Sequence, residues 1–259
     1  MVKKPKWVVE KEQARRAAAA QTVWLFGLHA VRDALLNPAR EKLRLVVSKN
    51  AADKLAEAIA ASGMVPEVSD PRKFSAPIDP DSVHQGAALE VKPLNWGPLE
   101  DVCTSGEGPV VLLDRVTDPH NVGAVMRSAE VFGARAVIAP ARASAPETGA
   151  LAKTASGALE RQPYLRVKNL SDAMGKLQDM GYLLLGLDGQ APQTLDEGLA
   201  ALEPGRPIGL VLGAEGPGMR QKTRETCDAL VSIVPAGEFG SLNVSNAAAV
   251  ALYAATRGR

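Results

Sequence analysis

The chain is poor in the residues that most often declare a chemistry. Only two of its 259 residues are cysteine, Cys103 and Cys227. They lie far apart with no CxxC, are too few for a structural zinc site, and neither sits where a nucleophile is expected. A reducing, cytoplasmic setting is the expectation. Histidine occurs three times, as His29, His84 and His120, with no HExxH pair, so no metal site is expected. Aromatic residues make up 4% of the chain, which leaves alanine and valine to carry much of the apolar content. No apolar run approaches the roughly 20 residues that span a bilayer. The N-terminal MVKKPKWVVEKEQARRAAAAQ lacks the continuous apolar stretch of a secretory signal. Neither sign of charge dominates: 30 Lys+Arg face 29 Asp+Glu, a net charge of +1. That excludes binding of nucleic acid by bulk charge alone and leaves a local basic patch open.

What is present is ordinary globular usage, 46% hydrophobic and 23% charged, in a length that suits one or two domains. Residues 1–22 form a basic N-terminal extension, with Lys3, Lys4, Lys6, Lys11, Arg15 and Arg16 against Glu10 and Glu12. It reads as a solvated tail that can also touch phosphates. Residues 23–92 alternate strand and helix signals. VWLFG precedes LHAVRDALLN, whose Leu28, Val31 and Leu35 keep helical spacing and whose stop is Asn37-Pro38. LRLVVS, AADKLAEAIAASG ending at Gly63, and GAALEV complete a compact α/β unit. Residues 93–108, rich in proline and glycine, read as a linker. Charge divides near this point: residues 1–100 carry net +3 and residues 101–259 net −2.

From residue 109 onward the apolar runs PVVLLD, RAVIAP, YLLLGL, IGLVLG and ALVSIV read as buried strands. Between them NVGAVMRSAEVFG and SDAMGKLQDMG read as helices, and NAAAVALYAATR ends the chain as another. Such alternation predicts a parallel sheet covered on both faces. Ligands of open α/β sheets bind beyond the carboxyl ends of the strands. Three glycine-rich polar stretches lie there: Asp114–Gly123 leading to Arg127, Gly213–Gly218, and Pro235–Val244. None is a GxGxxG dinucleotide turn, a GxxxxGK[ST] phosphate loop or a GxSxG elbow. Spacing alone therefore points to an α/β ligand-binding enzyme and goes no further.

Read together, LLDRVTDPHNVGAVMRSAEVFGARAVI, LVLGAEGPGMR and SIVPAGEFGSLNVSNAAAVALY closely resemble, in order and spacing, the three motifs of the TrmH-type branch of the SPOUT methyltransferases. GLHAVRDALLN resembles the opening of the small L30e-like domain that precedes the catalytic domain in many members. The resemblance implies an α/β chain with an L30e-like RNA substrate-binding domain at 23–92. It also implies a trefoil-knotted, parallel-sheet methyltransferase domain at 109–259. True knots are rare enough that spacing alone would argue against one. Also implied are a homodimer with the active site at its interface, S-adenosylmethionine as cofactor, and RNA as partner. The expected reaction is 2′-O-methylation of a ribose, nearest to the members that modify a guanosine in large-subunit ribosomal RNA. Members that act on transfer RNA share the motifs, and a non-catalytic RNA-binding or ribosome-assembly factor on the same fold is the rival from another class.

Carried over by position, Gly213, Ile233, Leu242 and Ser241 are the expected cofactor-binding residues. The expected catalytic residues are Arg127, Asn121, Glu215 and Asn243. Arg127 is a surface salt-bridge arginine unless the motif gives it work on the 2′-hydroxyl. A guanidinium is always protonated, so stabilising an alkoxide or clamping a phosphate suits it better than acting as a base. Asn121 and Asn243 are each equally readable as helix caps, and Glu215 as a residue that shapes its own loop. Candidate phosphate contacts are Arg32, Arg44, Lys49, Lys153, Arg161, Arg166 and Lys168, and Trp24 and Trp96 are candidates for base stacking.

Overall fold

The computed structural model describes residues 22–79, 81–104, 108–203, 205–234, 236–237 and 242–257. Almost all of the basic extension, residues 1–21, and the candidate Ser241 lie outside the described residues. Two sheets organise the rest. The first has four strands, β1 (Val23–Phe26), β2 (Lys42–Val47), β3 (Glu67–Val68) and β4 (Ala87–Val91), in the order β1-β4-β2-β3. β4 pairs antiparallel with β1 and β2, while β3 joins β2 in parallel. Alternation sorts its side chains. Leu45, Val47, Leu89 and Leu25 face one core, which includes Val31, Ala34 and Leu35 of helix α1 (Leu28–Leu36). Val46, Ala88 and Phe26 face the other way, onto Phe74 and Ile78.

α1 stops at Asn37, as Asn37-Pro38 predicts. The helical run after β2 is broken at Leu55 into α2 (Lys49–Lys54) and α3 (Ala56–Ser62). Gly63 ends it in the left-handed conformation, φ 69°.

The second sheet holds six strands, all parallel: β5 (Val110–Asp114), β6 (Ala136–Pro140), β7 (Tyr164–Val167), β8 (Leu183–Leu187), β9 (Ile208–Gly213) and β10 (Ala229–Val231). Their order is β10-β8-β9-β5-β6-β7, so the chain reverses direction across the sheet between β5 and β9. Both faces are buried, which is why the strands read as continuous aliphatic runs. Val111, Leu113 and Val137 face α5 (Pro119–Val131), α6 (Gly149–Ala155) and α10 (Val244–Thr256). Val110, Leu112 and Ile138 face α4 (Leu99–Thr104) and α7 (Leu170–Asp179). Two short helices, α8 (Leu195–Ala200) and α9 (Gln221–Thr226), close the list of described helices.

Besides the break at Leu55 and helix α6, which the sequence did not announce, three local features differ from expectation. The proline- and glycine-rich stretch at 93–108 folds in part, because Leu99 and Cys103 find an apolar seat against α7 and Tyr182 and so nucleate α4. β7 escapes the hydrophobic scan because Arg166 and Val167 are only half-buried at its end. The expected strand ALVSIV pairs with β8 over Ala229–Val231 alone, and Ser232 continues it only as an isolated bridge to Thr194.

The small sheet does not stand apart. The core under α1 and the core under α5 and α6 are one continuous apolar cluster. α6 lies between them, with Gly149 against the ring of Phe26 and the carbonyl of Trp24.

Neither cysteine is placed for chemistry. Burial pushes the Cys103 thiol up to about 11, and burial next to Asp228 pushes Cys227 up to about 12. Both stay protonated at neutral pH. The native chain at pH 8 should therefore react with a thiol reagent such as DTNB far more slowly than the same chain in guanidinium. Comparable rates in the two states would overturn this placement.

Candidate active site

β5 and β9 are neighbours at the point where the strand order reverses, and their last residues, Asp114 and Gly213, are in register. This is where an open α/β sheet offers a crevice. The Asp114 carboxylate is fully buried, and a buried anion must be paired. Arg220 pairs it. The Arg220 main-chain N–H donates to Oδ2 at 2.8 Å, and its side-chain Nε donates to Oδ1 at 2.8 Å. The Nη2 group is also 2.8 Å from Oδ1. Arg220 stands immediately before α9, so this carboxylate serves as a cap donated from another strand.

The turn between Gly213 and Arg220 is pinned from both ends. Ala214 and Gly218 exchange main-chain hydrogen bonds, at 3.2 and 2.9 Å. Gly213 is bare because that turn folds back onto it. A β-carbon there would lie 2.1 Å from the carbonyl carbon of Gly218 and 2.2 Å from the nitrogen of Met219. Glu215 is thus held at the tip of a closed turn, exposed to the crevice.

Three of the expected catalytic residues meet at this point. Asn121 Nδ2 donates to Glu215 Oε1 at 3.1 Å. Asn243 Nδ2 donates to Asn121 Oδ1 at 2.9 Å and also to Glu215 Oε1. Asn243 Oδ1 in turn accepts from the N–H and the hydroxyl of Ser245, at 2.8 and 2.6 Å. Asn243 is therefore both the cap of α10 and a member of the network. Asn121 is not a cap. Asp118 caps α5 instead, accepting from the His120 N–H at 2.9 Å. Asn121 is left free to reach Glu215. His120 Nδ1 sits 3.0 Å from Thr154 Oγ1 of α6, which ties the start of α5 to that helix. Gly123 lets the two helices touch, since a β-carbon there would lie 2.6 Å from the carbonyl oxygen of Leu151.

Arg127 stands apart. Six residues after Asn121, it lies about 9 Å further along α5 and about 120° round its axis. It is exposed and forms no ion pair or hydrogen bond with any described residue. Glu215 therefore bonds the two asparagines and not Arg127. Ile233 is half-buried just beyond β10, and Leu242 is 48% exposed just before α10.

The cationic candidates separate cleanly. Arg44 pairs with Glu67 and lies over Trp24, and Arg161 pairs with Asp33 and Glu130. Arg166 donates to the carbonyls of Ala141 and Ala145, and Arg32 pairs with Asp33. Lys49, Lys153 and Lys168 form no ion pair or hydrogen bond with described residues. Trp96 is half-buried and packs on the α4–α7 side of the large sheet. Asp114 and Arg220 stand inside the motif stretches but carry no expected role in the sequence. The usable signal was a lone acid closing an otherwise aliphatic strand. Among the described residues no cluster of three or more His, Cys, Asp or Glu could hold a metal ion.

Two family models match the chain. Residues 108–253 match the SpoU rRNA Methylase family, and residues 24–97 match an RNA 2′-O ribose methyltransferase substrate-binding domain. The chain belongs to the SpoU rRNA methylase family. It is 41% identical over 244 residues to the 23S rRNA (guanosine-2′-O-)-methyltransferase RlmB of Escherichia coli K12, covering 91% of this chain and 98% of that one. The same enzyme of Salmonella typhimurium matches to the same extent. Among solved structures, the SpoU methyltransferase AviRb of Streptomyces viridochromogenes in complex with AdoMet superposes with a TM-score of 0.76 at 23% identity. The match covers 94% of this chain and 92% of that one. A TrmH-family RNA methyltransferase structure from Porphyromonas gingivalis gives 0.72 at 26% identity, over 92% and 91%. The SpoU fold is thus shared over both sheets, and the Asn121–Glu215–Asn243 network unites the three motif stretches of this SpoU-family chain.

Replacing Asp114 with alanine strands the Arg220 N–H and frees its guanidinium. Urea unfolding should show a loss of about 1–3 kcal/mol, with faster amide exchange at Ala214 and Gly218. Unchanged exchange at those two amides would show that the turn does not hang on Asp114.

Proposed function

We propose that the chain is an S-adenosylmethionine-dependent RNA 2′-O-ribose methyltransferase acting on a guanosine of large-subunit ribosomal RNA. The Asn121–Glu215–Asn243 network at the strand ends carries this reading, because it draws one polar residue from each of the three motif stretches to one crevice. The choice of ribosomal RNA is supported by 41% identity to the 23S rRNA enzymes along nearly the whole length of both chains, small domain included. We assign residues 1–22 to a basic extension, 23–92 to the L30e-like RNA-binding domain, 93–108 to the linker and 109–259 to the knotted methyltransferase domain. The cytoplasm is the setting that fits this work.

The residues suit the cofactor. An adenine needs an apolar slot beside main-chain donors and acceptors. Ile233 and Leu242 offer the apolar walls, and the exposed main chain of the turn after Gly213 offers the polar contacts. Ser241 is the remaining candidate contact. When bound, S-adenosylmethionine supplies an electrophilic methyl on sulfur. The chain's own residues must then hold the ribose and ease the proton off its 2′-oxygen. Glu215, steadied by two side-chain amides, orients the ribose hydroxyls. Arg127, a permanent and uncommitted cation, stabilises the developing alkoxide or clamps the adjacent phosphate.

We further propose a homodimer, supported by the exposed surface next to the site. Asn243, Asn246, Val250, Tyr253 and Arg257 form one exposed face of α10, and Val131 is exposed at the end of α5, next to Phe132, whose ring meets that of Tyr253. An exposed face that begins at the site and carries an apolar patch of Val131, Val250 and Tyr253 with a polar rim suits a second copy of the chain. Arg127 is exposed one turn before Val131 on α5, and on this proposal it serves the strand-end crevice of the other protomer.

Four measurements test this function. Calorimetry should show S-adenosylmethionine binding, and its absence would favour a non-catalytic RNA-binding factor. Mapping of 2′-O-methylation in a deletion strain should lose one ribosomal mark, whereas loss of a transfer RNA mark alone would reassign the substrate. Arg127→Ala should cut methyl transfer by about a hundredfold or more while cofactor affinity stays within about threefold. Tyr253→Glu should yield a monomer in sedimentation and abolish transfer. A dimeric or fully active Tyr253→Glu variant would move the interface elsewhere.

A further inference from the structure

Domains joined by a linker move relative to one another unless something fixes them. Here something does. The Arg40 side chain is fully buried between the two sheets, at the turn that leads from α1 into β2. Its Nε and Nη2 donate to the two carboxylate oxygens of Glu160, at 3.0 and 2.7 Å, the fork-to-fork geometry that fixes direction as well as distance. Its Nη1 donates to Glu147 Oε2 at 3.0 Å and to the carbonyl of Lys92 at 2.8 Å. Asn37 Nδ2 adds bonds to Glu160 at Oε2 and at the carbonyl, and the Leu94 N–H donates to Glu147 Oε1. The small domain thus grips residues 147 and 160, which flank α6.

Two independent contacts lie on the same segment. Arg161 bridges Asp33 of α1, at 2.6 Å, and Glu130 of α5. Bare glycines admit the small domain: a β-carbon at Gly149 would sit 2.3 Å from the Phe26 ring, and one at Gly157 would sit 1.9 Å from Asp33 Oδ2. The segment in turn holds α5, through Gly123 against Leu151 and His120 against Thr154. A continuous packed path therefore runs from the small domain through α6 to the helix that carries Asn121 and Arg127. At the seam, the stem of Lys153 lies against Gly27, and its ammonium is uncommitted.

A buried ion cluster is an expensive way to gain stability, and apolar packing does the same with less desolvation. What it provides is direction. Resting on the RNA-methylation reading above, we infer that the Arg40–Glu147–Glu160 clamp is a positioning device. It fixes the span between the surface that grips RNA and the crevice that modifies it, and so selects which ribose is methylated. Arg40 and its partners touch neither RNA nor cofactor in this role.

Two variants test it by different routes. Arg40→Met with Glu147→Gln and Glu160→Gln dissolves the clamp without stranding a charge. Gly149→Leu drives a wedge between Phe26 and α6 and leaves every charge in place. Each is compared with the full-length wild type on unmodified transcribed large-subunit rRNA. The expected result is a tenfold or greater rise in KM for RNA, with methyl groups appearing on neighbouring riboses. The affinity for S-adenosylmethionine should stay within twofold, and solution scattering should show a larger radius of gyration. If the triple variant does not fold, Gly149→Leu alone decides. A folded variant with wild-type KM and a single methylation site overturns the inference. So does an unchanged scattering profile in both variants. If the wild type methylates no ribosomal RNA, the functional reading fails instead, and the scattering comparison still shows whether the clamp sets the domain arrangement.

Discussion

Asp114 ends β5 with a carboxylate that water does not reach, and a buried anion holds its place only if it is fully matched. Arg220 matches it with main chain and side chain together, and in doing so fixes the far end of the turn after β9. The near end is fixed by Gly213, whose missing side chain lets the turn lie flat on the strand. Glu215, carried at the tip of that turn, meets Asn121 and Asn243. The chemistry of the crevice is thus set by a pair of residues that take no part in it. The arrangement also explains why a turn so short can hold a charged side chain steady while remaining exposed to solvent.

The seam between the sheets uses the same logic at larger scale. Arg40, like Asp114, is charged, buried and matched on every side. Burial raises the carboxyl of Glu147 above its usual range, against the pull of Arg40, which marks the cost of enclosing two acids with one base. Continuous apolar packing under α1, α5 and α6 carries the bulk of the cohesion. The ion cluster adds the angular definition that packing of small aliphatic side chains lacks.

Much of this was legible in the sequence because the relevant signals are local. Short apolar runs gave β1, β2 and β4 of the small sheet and β5, β6, β8 and β9 of the large one, and Gly63 and Gly133 follow their helices in the left-handed conformation where the sequence predicts stops. The site stretches could be found because strand ends are where such sheets place ligands. What escaped is long-range. Arg40 sits in NPAREK, which looks like a solvated turn, and its partners lie 107 and 120 residues away. Nothing local distinguishes it from Arg44, which is indeed exposed. The separation of Arg127 from Asn121 was legible in principle, since six residues on a helix never share a face. The helix in the proline- and glycine-rich stretch was not, because Leu99 and Cys103 need the distant α7 to become a core.

The strand order has a consequence for synthesis. β5 emerges early and finds β6 on one side, but its other neighbour is β9. At about 5–20 residues per second, the roughly hundred residues between them take on the order of 5–20 s to follow. Throughout that interval β5 presents an open hydrogen-bonding edge, and the Asp114 carboxylate has no Arg220. Open edges invite pairing with other chains, while an unmatched charge at the strand's end resists being buried by them. The residue that later anchors the turn thus guards the growing sheet against the wrong partner until the right one arrives.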